Sequence, residues 1–208
     1  MPPKPVVTLL TDFGYRDSYV AEMKAVILSI CPEATLVDIT HEVEPYNIRL
    51  GAYLLYRAVQ WFPKGSIHLA VVDPGVGGPR KPLIIEAEKG MLVGPDNGLL
   101  IPAARRLSLK KVYSINVEGD FLPKRFTETF HGRDIFAPTT ALLAKGVKPA
   151  ELGVEVSSYV EAAFPEAKLS GDKILGEIIH VDRFGNLVTN IEICLLYTSP
   201  SPRDLSTS

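Results

Sequence analysis

The sequence predicts an α/β protein: an N-terminal, mostly parallel sheet flanked by helices, followed by the beginning of a smaller β domain. Two observations carry that prediction. Short β-branched runs alternate with segments of helical period through residues 1–150, the pattern of a parallel sheet with helices on its faces. The loops that should leave those strands carry four polar, glycine-containing clusters, and open α/β sheets hold their ligands at such loops. With 208 residues and 46% hydrophobic content, the chain has material for one full α/β domain and part of a second.

Val6 to Leu10 reads as a first buried strand. The helix after it places Val20, Met23, Ile27 and Ile30 on one face and stops at Cys31-Pro32, because proline cannot continue the hydrogen-bond ladder. Further strands fit Thr35 to Ile39, Ile67 to Val72, Leu83 to Ala87, Met91 to Val93 and Lys111 to Ile115. Helices fit Asn47 to Trp61, Leu99 to Leu107, and Asp134 to Lys145, with Asp134 as the cap and Pro138 in the tolerated first turn. Gly146 to Ser170 is rich in Pro, Ala and Glu without strand periodicity, which places an interdomain linker at residues 151–172. Within residues 173–193, strands Ile174 to Val181 and Leu187 to Ile191 flank a hairpin turn, Asp182-Arg183-Phe184-Gly185-Asn186. Two strands seldom make a stable unit, so this second domain reads as cut short. Residues 194–208 read as a tail outside the fold; Tyr197 to Ser208 contain eight Ser, Thr or Pro and resemble adapter read-through.

Twenty-two basic against 24 acidic residues give a net charge of −2, without the basic excess that drives binding to nucleic acid or anionic membranes. No apolar run approaches the roughly 18 residues of a membrane span, and the start lacks a signal pattern. Only Cys31 and Cys194 are present, which fits a reducing, cytoplasmic setting better than a disulfide or cysteine-zinc scaffold. A small-molecule partner is the expectation.

The first polar cluster is Thr11-Asp12-Phe13-Gly14 with Asp17, directly after the first strand. A carboxylate there can accept both hydrogen bonds of a vicinal diol such as a ribose, and a second can hold an ammonium group. A turn closed by Asp12 and a helix capped by Asp17 would explain the same residues. In the second cluster, Val72-Asp73-Pro74-Gly75-Val76-Gly77-Gly78-Pro79-Arg80, three glycines allow close backbone approach, and Asp73 and Arg80 at its ends could converge. It lacks the Lys-Ser/Thr ending of a phosphate loop, and a structural ion pair is the alternative. The third cluster, Phe130-His131-Gly132-Arg133-Asp134, enters a helix where His131 could donate to a bound water or to developing negative charge. His41 is similarly placed after the second strand, whereas His68 and His180 fall within strands and read as packing residues. The fourth, Gly94-Pro95-Asp96-Asn97-Gly98, needs no reading beyond a turn before a helix. A metal centre built from Asp12, Asp17, Asp73 and His131 has no tight ligand spacing to support it, and Arg80 and Arg133 would oppose a cation there.

Taken in order, TDFGYRDSYV, VVDPGVGGPR, GPDNGLL, FHGRDIFAP and RFGNLVTN resemble the S-adenosylmethionine hydroxide adenosyltransferases, relatives of the fluorinating and chlorinating enzymes. The resemblance runs from about Val6 to Ile191. It implies an α/β domain and a smaller β domain in homotrimers with inter-subunit sites, and hydrolysis of S-adenosylmethionine to adenosine and methionine by water attack at C5′. It implies a water-activating set of Asp73, Arg80 and His131, ribose binding by Asp12, methionine ammonium binding by Asp17, Tyr46 beside the ribose, and Phe184 and Asn186 on adenine. It implies no metal or organic cofactor. Gly132 stands where the fluorinating relatives carry serine. The family pattern stops after Asn190, so the contacts to the methionine carboxylate end are missing. The competing readings are a halide-using, chlorinase-like adenosyltransferase, which the carboxylate of Asp73 disfavours by repelling an anion, a non-catalytic S-adenosylmethionine or adenosine binding module, and, most remotely, a metal-dependent phosphohydrolase.

Overall fold

Alternation along Val6–Thr11 (β1) turns Val7 and Leu9 into one core, where they meet Met23 and Ile27 of Tyr19–Ile30 (α1). The helical face expected from the sequence is the buried one, with Val20, Met23 and Ile27 inside and Ile30 half-buried against them. The computed structural model describes residues 4–122, 129–161 and 167–191. They fall in two compact units, Met1–Ala163 and Phe164–Ser208.

In the first unit, Thr35–Thr40 (β2) pairs parallel to one side of β1, and Ser66–Val71 (β3), buried along its whole length, pairs parallel to the other, with Val7 opposite Ile67 and Thr11 opposite Val71. Because crossovers between parallel strands are right-handed, reversing direction across β1 puts α1 and Ile48–Val59 (α2) on opposite faces of the sheet. There α2 packs on Ile101–Arg106 (α3), and α1 packs on Ala137–Ala144 (α4). Gly51 permits the approach of α2, since a Cβ there would stand 3.0 Å from both Leu99 and Val72 side chains. Pro82–Ala87 (β4), Gly90–Pro95 (β5), Leu109–Ile115 (β6) and Gly153–Glu155 (β7) complete a seven-stranded sheet of order β2-β1-β3-β5-β4-β6-β7. β2, β1, β3, β5 and β6 run one way and β4 and β7 the other, so the sheet is mostly parallel, as expected.

Most expected elements end within a residue or two of the observed ones, the normal scatter of frayed ends. Two differ in kind. The helix expected from Asp134 begins earlier, as a π-helical turn at Gly132–Phe136 that runs into α4, with Pro138 in the first turn of α4. Asp134 is therefore inside the helical segment, with His131 at the cap position, and its carboxylate accepts from Arg133, Nε to Oδ1 at 2.6 Å and Nη2 to Oδ2 at 3.0 Å. Residues read as the start of a linker instead continue the fold, with Pro149–Leu152 (α5) leading into β7 at the sheet edge. A three-residue strand is too short to display a period.

In the second unit, Lys168–Ser170 (β8) pairs with Lys173–Leu175 (β9), and Ile178–Val181 (β10) pairs antiparallel with Leu187–Thr189 (β11). The single strand expected over Ile174 to Val181 is thus two, parted at Gly176-Glu177, where Glu177 N donates to Asn190 Oδ1 at 2.8 Å. Leu169, Leu175, Ile178, Val181 and Leu187 are each more than half exposed. The tail at 194–208 lies outside the described residues. Among the described residues no helix is long and apolar enough to cross a membrane.

Candidate active site

Strand direction decides which loops meet. β1, β2, β3 and β5 finish on one edge of the sheet, so Asp12, His41, Asp73 and the pair Asp96-Asn97, which follow them, are delivered to that edge. β4 runs the opposite way, so Arg80 just ahead of it starts from the same edge. The chain also reverses across β1 here, and open α/β sheets bind their ligands at such a reversal.

Two tight turns fold the glycine loop on itself: Val76 N donates to Asp73 O at 3.3 Å and Gly78 N to Gly75 O at 3.0 Å, with Gly77 at φ +77°. Residues seven apart are thereby brought face to face. Arg80 Nε donates to both Asp73 oxygens at 3.1 and 2.9 Å, and Nη2 donates to Oδ2 at 2.5 Å. Nη2 also lies 2.7 Å from His131 Nδ1. A guanidinium has donors only, so Nδ1 is the acceptor and the imidazole is neutral, with its proton on Nε2. The Asp73 and Arg80 side chains are 4% and 10% exposed, and His131 is buried at the start of the π-helical turn. The Phe136 ring lies 5.3 Å from the Arg80 guanidinium carbon.

Asp12 sits beside this cluster. Burial pushes its carboxyl up from the ordinary aspartate value and the negative charge of Asp73 adds to that, against the hydrogen bond from Tyr46 N to Asp12 Oδ2 at 2.9 Å. Tyr46 holds φ +66°, a conformation that costs free energy in a non-glycine residue, and its side chain is largely exposed. The loop bearing Asp12 is tied to His41: Thr11 Oγ1 lies 2.8 Å from His41 Nδ1, Phe13 N donates to Thr11 Oγ1 at 3.2 Å, and Gly14 N donates to His41 O at 2.8 Å. His41 is fully buried, with Nε2 3.1 Å from Asp38 Oδ1. Its role is thus to brace the loop.

Asp17 lies exposed in the bend before α1, whose cap position is Ser18, and takes no part in the Asp73–Arg80–His131 contacts. Phe184 and Asn186 belong to the second unit. There Asp182 Oδ1 accepts from the backbone amides of Phe184 and Asn186, each at 2.9 Å, and Asn186 Nδ2 donates to Asp182 Oδ2 at 2.7 Å, while the Phe184 ring stands in solvent.

Sequence reasoning missed an aromatic wall around Gly132. Phe13, Tyr19 and Phe130 meet edge to face at 5.1 to 5.9 Å, and a Cβ on Gly132 would stand 3.1 Å from Phe130, 3.2 Å from Met23 and 3.3 Å from Phe13. Positions 13, 19 and 130 share no local pattern that could have revealed it. Arg133 turns from the cluster to Glu22, Nη1 to Oε2 at 2.8 Å. Among the described residues no group of three or more His, Cys, Asp or Glu is arranged to hold a metal ion. The Asp73 carboxylate is occupied by Arg80.

Strand order and turns thus gather a buried polar cluster at the carboxyl edge of an α/β sheet, the edge where open sheets of this class hold their ligands. Residues 7–153 match the family described as the SAM hydroxide adenosyltransferase N-terminal domain, and the chain belongs to that family. It is 41% identical over 207 residues to the (R)-S-adenosyl-L-methionine hydrolase of Salinispora tropica, covering 99% of this chain and 78% of that relative. Similarity to the fluorinase of Actinopolyspora mzabensis is lower, 26% over 215 residues, covering 90% and 72%. The crystal structure of an uncharacterized conserved protein from Thermotoga maritima superposes with a TM-score of 0.85 at 39% identity, covering 91% of this chain and 72% of that one.

Proposed function

We propose that the protein hydrolyses S-adenosyl-L-methionine to adenosine and L-methionine, with Asp73, Arg80 and His131 acting on the attacking water. The observation that carries the reading is the buried Asp73–Arg80–His131 chain of contacts beside Asp12, in a member of a family whose nearer relatives are named hydrolases rather than fluorinases. The sulfonium of the substrate leaves as a neutral thioether, so no acid is required at sulfur. The difficulty lies in holding water in line with the C5′–S bond. As the C5′–O bond forms, the C5′–S electron pair passes to sulfur and the water loses a proton. His131, kept neutral by accepting from Arg80, and Arg80 itself stabilise the developing hydroxide, and Asp73 orients the water or accepts its proton. Asp12 takes the ribose hydroxyls, with Tyr46 beside them, and Asp17 takes the methionine ammonium. Phe184 and Asn186 contact adenine from a neighbouring subunit of a homotrimer. The cysteine usage supports a cytoplasmic setting, and the chemistry calls for no cofactor.

Incubation with S-adenosylmethionine in 18O-labelled water, with and without chloride, tests this by mass spectrometry of the nucleoside product. The expected product is adenosine labelled at its 5′ oxygen, in either medium, and lost in His131→Ala. A chlorinated nucleoside, or unchanged turnover in His131→Ala, would refute the mechanism.

A further inference from the structure

The segment Gly94-Pro95-Asp96-Asn97-Gly98, which the sequence shows only as a turn, holds both ends of the glycine loop. β3 ends at Val71, so the carbonyl of Val72, a fully buried residue, lies beyond the strand ladder and needs a donor from elsewhere. Asn97 Nδ2 supplies it at 2.8 Å. That carbonyl belongs to the peptide immediately before Asp73. At the other end, Asp96 N donates at 2.9 Å to the carbonyl of Lys81, the residue after Arg80, and the buried Asp96 carboxylate accepts from Val160 N at 2.7 Å. Between these anchors the loop contains three glycines and little rigidity of its own. The angle at which Asp73 meets Arg80 is therefore set from the neighbouring strand end.

We infer that Asn97 is a positioning residue for hydrolysis: its amide fixes the Val72–Asp73 peptide, and through it the Asp73–Arg80–His131 alignment. The inference rests on the proposed role of Asp73. Asn97 has a second contact, Leu99 N to Asn97 Oδ1 at 3.2 Å, at the entrance to α3. Asn97→Asp separates the two, since a carboxylate still accepts from Leu99 but no longer donates to Val72. Asn97→Ser, which is neutral, controls for the added charge and stands in should Asn97→Asp fail to fold.

The test is steady-state adenosine release by the wild-type protein, Asn97→Asp, Asn97→Ser, Asp73→Asn and the Asn97→Asp/Asp73→Asn double variant, with thermal melts of each. A displacement of the reacting geometry by about an ångström predicts that kcat falls on the order of 10²-fold in both Asn97 variants while KM changes little. In the Asp73→Asn background the Asn97 substitution should cost nothing more, because contacting residues in one network couple. Independently of turnover, the 15N resonance of His131 Nδ1, the acceptor from Arg80, should move in Asn97→Asp. An unchanged kcat in the Asn97 variants, additive losses in the double variant, or an unmoved Nδ1 resonance overturns the positioning role. Unchanged turnover in Asp73→Asn would instead overturn the reading of the site itself.

Discussion

Replacing Arg80 by Lys separates charge from shape at the centre of the site. The guanidinium lays Nε and Nη2 along the Asp73 carboxylate and still offers Nη2 to His131, whereas an ammonium is a point charge that cannot reproduce that fork. Deleting the charge altogether, as in Arg80→Met, strands a carboxylate whose side chain is only 4% exposed, which costs about 3–5 kcal/mol. Lysine keeps the charge and forfeits part of the charge-assisted hydrogen bonding, a loss of about 1.5–3 kcal/mol with little solvent screening at this depth. For a chain of this size that lowers Tm on the order of 3–12 °C. The lost line to His131 should reduce kcat by about 10²-fold even where the variant is fully folded. Melts by circular dichroism and adenosine release by chromatography give both numbers on the same preparation. A variant that melts with the wild type and turns over at its rate would refute the argument that the fork, rather than a positive charge, builds the site.

Asp12→Asn should raise KM for S-adenosylmethionine and at the same time raise the melting temperature near neutral pH. The folded state disfavours the Asp12 carboxylate, so the penalty is present above the ordinary aspartate value and vanishes as the group protonates in acid. A variant that binds normally, or is less stable at every pH, contradicts this. His68, 1% exposed and 2.8 Å from Thr8 Oγ1 through Nδ1, is lowered from 6.5 to about 4 by burial. Its contribution is whole above pH 6.5 and is lost between 6.5 and about 4 as the unfolded chain takes up the proton first, a total of about 3 kcal/mol. Denaturant titrations across that window should show a shallower slope for His68→Gln, and equal slopes would exclude the assignment. Gly132→Ser must push Phe130, Met23 or Phe13 aside. It should cost about 1–3 kcal/mol in melts and depress turnover, and an unchanged melt would mean that the wall yields freely.

The α/β class was legible in the chain because burial marks it: β1 is a short run buried on both faces, and α1 reveals its inner face by apolar residues at helical spacing. Asp73, Arg80 and His131 were legible as motif residues, and their meeting is what the folded chain added. Glycine turns and strand direction close the 7-residue and 51-residue separations that the contacts span. The π-helical turn before α4, the edge strand β7 and the brace formed by His41 carried no readable pattern. Asn97 is the sharpest case. In sequence it is a turn residue. Its donor role exists only because β5 lies beside β3, which puts Val72, 25 positions away, within reach of its amide. Local periodicity records which face of each element is buried, whereas hydrogen bonds between strand ends depend on the order of strands in the sheet, and that order is set by packing among elements far apart in the chain.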